Sequence, residues 1–589
     1  MKLTKEKLIE NFNSINDYSD FQKTFSPCYS NIGFEVEPEI CGSGALWLHY
    51  NRASRKLWDS FIDFPLKQNK AQASAFSVAF GENETIAKLT FTDTDTIYFS
   101  ADGLDSVKLF AKKNKNLRSF WIEKISENEA EVFGYSENTD DRDPDEAVPF
   151  YIYLKASQGE FFADKNDVII RSNDDKKIII SAAVEVLNID RENAQKKAKN
   201  SPENFSEAEE KCREFYLECF RKIDLNISSE REEKIIAKAA YGLTANLAKA
   251  PGKLSKHISS FPSRGSYPTH FLWDTCFQNL AYEKFSPALA AEFLLQIAAF
   301  QRSDGKFPQF MCSTWERPHY SQPALVGWAA MRIAARTNDR KFIEYMTDAI
   351  ERNNFWWLNS RNSECGLISC PHGLETGQDD SPRFDNGTTF ACDINSYVLH
   401  QLHCADELNR MIGRSEKADF WEGKAEKLSQ KIIEILWCDE DGIFYDVSPE
   451  SGEFVRIVSP VSFLPLWAGI NLPKEKAEQS VRKYLLNPEY LFGEIPFPSV
   501  AYNDINYGSG NWWRGPTWMP NAYLMLETLD KLGYEKEYYK AAERLYNVIL
   551  NDGELHELFD SKTGAGLGAA EQGWTNAIFI KLCDIVNRG

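Results

Sequence analysis

The chain has 589 residues, a hydrophobic share of 43% and a formal net charge of −20. So long a chain outgrows a single ordinary core, and two large domains are expected. The acidic balance excludes nucleic acid and anionic membranes as expected partners, because their phosphates would be repelled, and favours a small or neutral ligand.

The opening stretch, MKLTKEKLIENFNSIND, is amphipathic and has no apolar run of signal-peptide length, and nothing further on approaches a membrane span. The 12 cysteines are scattered, mostly in apolar surroundings such as those of Cys276 and Cys583. They read as buried free thiols, so the expected location is cytoplasmic. Cys365, Cys370 and His372 lack a fourth ligand and the usual CxxC spacing, which argues against zinc.

Residues 20–225 are expected to be mostly strands. SAFSVAF, TIAKLTFTD, TIYFSA, SVKLFAK, EAEVFGY, PFYIYLKA and KKIIISAAVEV alternate or run apolar at strand length between Gly, Asn and Asp turns. Short strands at regular spacing predict a β-sandwich over 1–225, with EEKCREFYLECFRKIDL as a helical linker at its end. The acidic run holding Asp140, Asp141, Asp143 and Asp145 lacks the EF-hand pattern and reads as a solvated hairpin tip.

From about Glu232 the apolar period changes to 3.6, and about twelve helices are expected. They fall at 232–250, 270–284, 286–302, 322–337, 340–360, 393–412, 415–437, 460–470, 474–486, 516–532, 535–551 and 574–588. Connections after the even-numbered helices are short, and those after the odd-numbered ones run to about twenty or thirty residues. Short connections make antiparallel hairpins. Six hairpins closed in a ring predict an (α/α)6 barrel over 226–589, with every long loop at one mouth, where a rigid scaffold carries binding groups.

Those loops repeat one chemistry. The third, LETGQDDSPRFD, crowds Glu375, Asp379, Asp380 and Asp385 around Arg383, and crowded carboxylates raise one another's pKa, as a general acid requires. The first loop ends in Trp273 and Asp274, and the second holds Gln309 and Gln322. The fourth, CDEDGIFYDVSPESGEF, reads as a β-hairpin. The fifth carries Trp513, Arg514 and Trp518, and the sixth Glu557, Glu571 and Trp574. Carboxylates with many aromatics fit glycoside hydrolysis. Asp379 and Glu557, on different loops, are the candidate acid and base. The tryptophans suit stacking on sugar rings, with helix-end packing as the plain alternative. Arg514 suits sugar hydroxyls or a structural ion pair. Asp274 and Gln322 suit orienting hydroxyls, with helix capping as the alternative for Asp274. Gln309 reads more simply as a turn-stabilising amide. GxSxG, HExxH and P-loop motifs are missing from the sequence.

At these motifs the chain resembles the six-hairpin inverting glycosidases of clan G. Those are glycoside hydrolase family 63, with its mannosylglycerate and glucosylglycerate hydrolase relatives, and the family 37 trehalases. ETGQDDSPRFD is similar to their ESGxDxSxR signature, which implies Asp379 as general acid. FLWDTCF is similar to their YWDSYF-type motif, which implies that Asp274 contacts the sugar in the −1 subsite. WWRGPTW with Asn521 resembles YWRGPxW…N, and Gln322 falls in a segment like the family's SQPP. ELFDSKTG resembles the segment bearing the general base, here Glu557, and AAEQGWTNAI resembles the trehalase ending that places Glu571 near the sugar. The resemblance implies an inverting exo-acting α-glycosidase for a small carbohydrate, an α-glucosidase or α-mannosidase. A trehalase-like enzyme, a glycerate-glycoside hydrolase and an inactive sugar-binding protein stand as alternatives. No cofactor or catalytic metal is expected; a structural calcium would be unsurprising but is not predicted. Gln378 and Asp380 depart from the family pattern beside the acid, and nothing in the sequence sets an oligomeric state.

Overall fold

The computed structural model describes residues 2–588 except 15–23, 26–31, 37–42, 49–54, 64–71, 83–84, 137–146, 165–166, 221–222, 224, 264–265, 314–315, 318, 388 and 509–511. The acidic run at 140–145 lies outside the described residues.

The first part of the chain forms two antiparallel sheets of seven and eight strands. Their strands alternate because one face of each sheet meets the other. In the strand Val148–Gln158, Phe150, Ile152 and Leu154 enter the shared core, where Trp58 packs on Phe110 and Phe150. Tyr151 and Tyr153 point the other way and form a small cluster with Ala194 and Ala198 of a covering helix. The seven strand segments expected from sequence are present. Leu117–Ser126, Glu160–Asp164 and Asp167–Arg171 are strands as well.

Fifteen helices are described: α1 (Lys5–Ser14), α2 (Arg191–Lys199), α3 (Phe205–Cys219), α4 (Glu230–Ala245), α5 (Leu272–Phe285), α6 (Pro287–Ala299), α7 (Val326–Thr337), α8 (Arg340–Ser360), α9 (Cys392–Met411), α10 (Ser415–Leu436), α11 (Leu464–Trp467), α12 (Lys474–Ser480), α13 (Met519–Lys531), α14 (Glu535–Asp552) and α15 (Gly573–Val586). Local chemistry starts and stops them. Asp190, Asn204, Ser229 and Asp339 cap α2, α3, α4 and α8 through their side chains, and Asn338 and Gly553 end α7 and α14 in the left-handed conformation.

The packing order explains the pattern of burial. Each of α5, α7, α9, α11, α13 and α15 packs against the next, and α15 packs back on α5. Flanked on both sides, α13 buries Met519 through Leu526 without a break. On the outside of this series, α10 buries a single stripe of Ala418, Trp421, Ala425, Leu428 and Ile432. The helix expected at 232–250 stops at Ala245, because Leu247–Ala248 pairs with Ser259–Ser260. The segment at 460–470 is shorter than its period suggested: Pro460 opens a 3-10 turn over 460–463 and Pro465 lies in the four-residue α11. The loop over 438–454 forms two short ladders.

Two pieces of sheet bring loops together at the N-terminal ends of this series. His270–Phe271 pairs with Phe310–Met311, which sets Gln309 beside the start of α5. Thr517–Trp518 pairs with Leu558–Phe559, which in turn pairs with Gly566–Leu567, so the start of α13 lies against the strand that follows Glu557.

Candidate active site

A pocket with about 500 Å³ of atom-free space opens where these loops meet. Its wall includes nine of the residues singled out by sequence: Trp273, Asp274, Gln309, Gln322, Asp379, Trp513, Trp518, Glu557 and Trp574. Tyr267, Phe271, Gly377, Trp512 and Gln572 complete it. Arg514 and Glu571 are not part of that wall. Arg514 forks onto both carboxylate oxygens of Asp385. Glu571 has a left-handed φ of 54° and sits against α4, its Cβ within contact of the space above Gly242.

The aromatic wall is a connected cluster. Trp513 and Trp518 stack with ring centroids 3.8 Å apart and planes 7° from parallel. Trp273 leans on Trp513 at 6.3 Å and meets Trp574 edge-on at 5.7 Å. Two indole N–H groups brace the cluster: that of Trp518 donates to the Trp512 carbonyl at 3.1 Å, and that of Trp574 to the Glu557 carbonyl at 3.0 Å. Flat apolar faces beside polar groups suit the alternating C–H and O–H surface of a sugar ring.

The amides divide by whether they are satisfied. Gln322 Oε1 accepts the Trp273 backbone N–H at 3.1 Å, so this side chain caps an orphan donor at the start of α5. Gln309 Oε1 and Gln572 Oε1 are buried and accept nothing from the described residues. Buried acceptors need donors, and hydroxyl groups in the pocket would supply them.

Three carboxyl groups face the pocket, and burial raises the pKa of each. Asp274, in the first turn of α5, is only 4% exposed, and its pKa lies well above the usual range through burial and then the nearby Glu557 and Asp379 charges. Glu557 is 3% exposed and is pushed up to about 7 by burial. Its Oε2 nevertheless accepts the Ala569 backbone N–H at 3.0 Å and the Tyr267 hydroxyl at 3.4 Å, and both donors favour the ionised form. Asp379 opens onto the pocket, yet enough protein surrounds it to push it up to about 6, with Asp380 adding to the rise and Arg317 opposing it. No hydrogen bond reaches Asp379 from the described residues.

Backbone constraints set both groups. Gly377 has φ +73°, and a Cβ there would lie 2.6 Å from the Trp273 ring, so only glycine lets the acid-bearing loop close onto that ring. Gly568, at φ +75°, leaves room for Glu557 Oε2, which a Cβ would meet at 2.7 Å. Buried ion pairs fix the rest of the Asp379 loop. Arg383 reaches Asp446 at 2.7 Å and Asp393 at 2.5 Å, and it also donates to Gln378 Oε1 at 3.2 Å. Glu375 accepts from Arg361 at 2.7 Å and from the Ser321 backbone at 3.1 Å. Among the described residues no cluster of His, Cys, Asp and Glu has metal-binding form, and no helix is long and apolar enough to cross a membrane.

Residues 267–575 match the family model described as the mannosylglycerate hydrolase MGH1-like glycoside hydrolase domain. A mannosylglycerate hydrolase of Rubrobacter radiotolerans is 28% identical over 33% of this chain and 43% of its own length. The chain thus spans less than half of that relative. Mannosylglycerate hydrolase MGH1 of Selaginella moellendorffii is 22% identical over 54% of this chain and 81% of its own length. Two solved structures share the fold. The family 63 mannosylglycerate hydrolase of Thermus thermophilus in complex with Tris covers 59% of this chain and 99% of its own, at 18% identity and a TM-score of 0.52. A bacterial glucoamylase complexed with acarbose covers 96% and 94%, at 11% identity and a TM-score of 0.58, so this likeness takes in the sheet-rich part as well. The family match spans more than half of the chain and includes every loop that lines the pocket. This protein therefore belongs to the MGH1-like glycoside hydrolases.

Proposed function

We propose that the chain is an inverting, exo-acting α-glycosidase built as an (α/α)6 barrel over 226–589 behind a β-sandwich over 1–225. Asp379 is its general acid and Glu557 its general base. The observation that carries this reading is the contrast between the two carboxyl groups facing one tryptophan-walled pocket: donors favour ionised Glu557, and none from the described residues reaches Asp379.

Neutral Asp379 gives its proton to the glycosidic oxygen as the C–O bond breaks. Ionised Glu557 takes a proton from the water that attacks the anomeric carbon from the opposite face, and the product leaves with inverted configuration. Burial lifts Glu557 to about 7 and Asp379 to about 6, so the productive arrangement is the scarcer one in the free protein. A bound sugar changes that balance. It displaces water from the solvent-open Asp379 and raises its pKa further, while Glu557 keeps its two donors. Asp274, Gln309 and Gln572 hold hydroxyls of the ring, and the tryptophans stack on it.

A glyceryl glycoside is the substrate reading with a specific observation behind it. The Arg317 guanidinium opposes the rise in the Asp379 pKa, so a cation lies near the acid. A glycerate carboxylate needs such a partner. Relatives named mannosylglycerate hydrolases agree with it. The test is hydrolysis of a panel of mannosylglycerate, glucosylglycerate, trehalose and neutral α-glycosides, with the first product read by NMR. Cleavage of a glyceryl glycoside with β-configured sugar released first is the expected result. An α product would overturn inversion, preference for trehalose would overturn the glycerate reading, and binding without hydrolysis of any of them would overturn catalysis.

A further inference from the structure

The pocket's acid and its aromatic wall come from separate loops, 374–385 and 512–518, and two carboxylates outside the pocket wall join them. Asp380 Oδ1 accepts the Trp513 backbone N–H at 2.7 Å. Its other oxygen lies 4.0 Å from Arg514 Nε, and Arg514 in turn forks onto Asp385 of the same acidic loop. Two carboxylates of one loop therefore grip consecutive residues of the other. The first grip falls on the residue whose ring stacks on Trp518 and touches Trp273.

We propose that Asp380 is a positioning residue: by holding the Trp513 amide it sets the Trp513–Trp518 wall at a fixed place beside Asp379, so that a sugar stacked on that wall meets the acid in register. The proposal rests on the glycosidase reading of this pocket. It gives a purpose to a residue that departs from the resembled signature beside the acid. A backbone amide is held without regard to the side chain it carries, so the grip fixes where the loop lies and leaves the indole free to pack. Proximity of this kind acts on binding and orientation.

The Asp380 charge has a second, separable consequence. Two charged groups act on Asp379, Asp380 raising its pKa and Arg317 lowering it, while Asp379 in turn raises the pKa of Glu557 and Asp274 on the other walls. Removing the Asp380 charge lowers the pKa of Asp379, since a neighbouring negative charge disfavours ionisation.

The experiment compares D380N, D380A and W513F with the wild-type enzyme on the best substrate of the panel, with thermal unfolding followed alongside. Asn keeps a carbonyl acceptor for the Trp513 amide and Ala does not. D380N is expected to keep KM within about threefold of wild type, and D380A to raise it about tenfold or more, the scale of misplaced substrate. In both variants the lower of the two breakpoints in the pH profile of kcat/KM moves to lower pH while the upper one stays. The KM effects of D380A and W513F are expected to be non-additive, because both act on one wall. KM unchanged in D380A, D380N as impaired as D380A, or fully additive effects would each overturn the proposal. A D380A variant that does not fold leaves the test to D380N, and a KM raised tenfold there would overturn it equally. D379N, run in parallel, keeps the two readings apart: if it stays active, the assignment of the acid fails whatever Asp380 does.

Discussion

The two carboxyl groups of the pocket are held in opposite ways. Glu557 leads into a three-stranded sheet, and its carboxylate takes two donors while its own carbonyl takes the Trp574 indole. Among the described residues, Asp379 is fixed through its neighbours: Gly377 against Trp273, Gln378 on Arg383, Asp380 on the Trp513 amide. The contrast separates their chemistry. A carboxylate wrapped in donors is held ready to accept a proton, whereas one left bare and open to the pocket responds to whatever fills it.

The largest effect on this contrast comes from deleting either group. D379N and E557Q are each expected to lower kcat/KM on the glyceryl substrate by about 10²–10⁴-fold, the scale of acid–base groups. Steady-state kinetics measures it, and near-normal activity in either variant removes that assignment.

Next comes the frame under Asp379. R383M leaves Asp393 and Asp446 buried without their cation, and breaking a buried pair costs about 3–5 kcal/mol. Denaturant unfolding should show a loss of that size. A loss below about 1 kcal/mol would mean that the loop does not depend on this pair.

The smallest effect falls on the donors of Glu557. Y267F removes the weaker of its two hydrogen bonds, which stabilises the ionised form. The sign follows: the pKa of Glu557 rises above about 7. In the wild type, kcat/KM should fall below pH about 6 and above about 7, with its maximum between, because low pH protonates the base and high pH ionises the acid. In Y267F the upper breakpoint moves up and the maximum drops by about two- to tenfold, the worth of a modest hydrogen bond. Movement of the lower breakpoint instead would place Tyr267 on the wrong carboxyl group.

Much of this was legible in the sequence because the signals were local. The helical period located most of the helices, and the alternation of short and long connections pointed to the pocket-lining loops. What stayed hidden depends on conformation or on contacts far apart in sequence. Gln572 lines the pocket and Glu571 does not, a difference set by the left-handed φ at Glu571. Arg514 read equally as a ligand or an ion-pair partner until Asp385 appeared opposite it. Leu117–Ser126 was obscured by the polar residues on its open face, where Trp121 stands half exposed. Pro460 and Pro465 shortened a helix whose apolar pattern ran on past them.

The division of roles can be tested by removing the need for an acid. Fluoride leaves a glycosyl fluoride with little protonation, so D379N should hydrolyse α-glucosyl or α-mannosyl fluoride within about tenfold of wild type, while E557Q should remain at least about a hundredfold slower. The opposite pattern, E557Q active on the fluoride and D379N not, would contradict the assignment of Asp379 as acid and Glu557 as base.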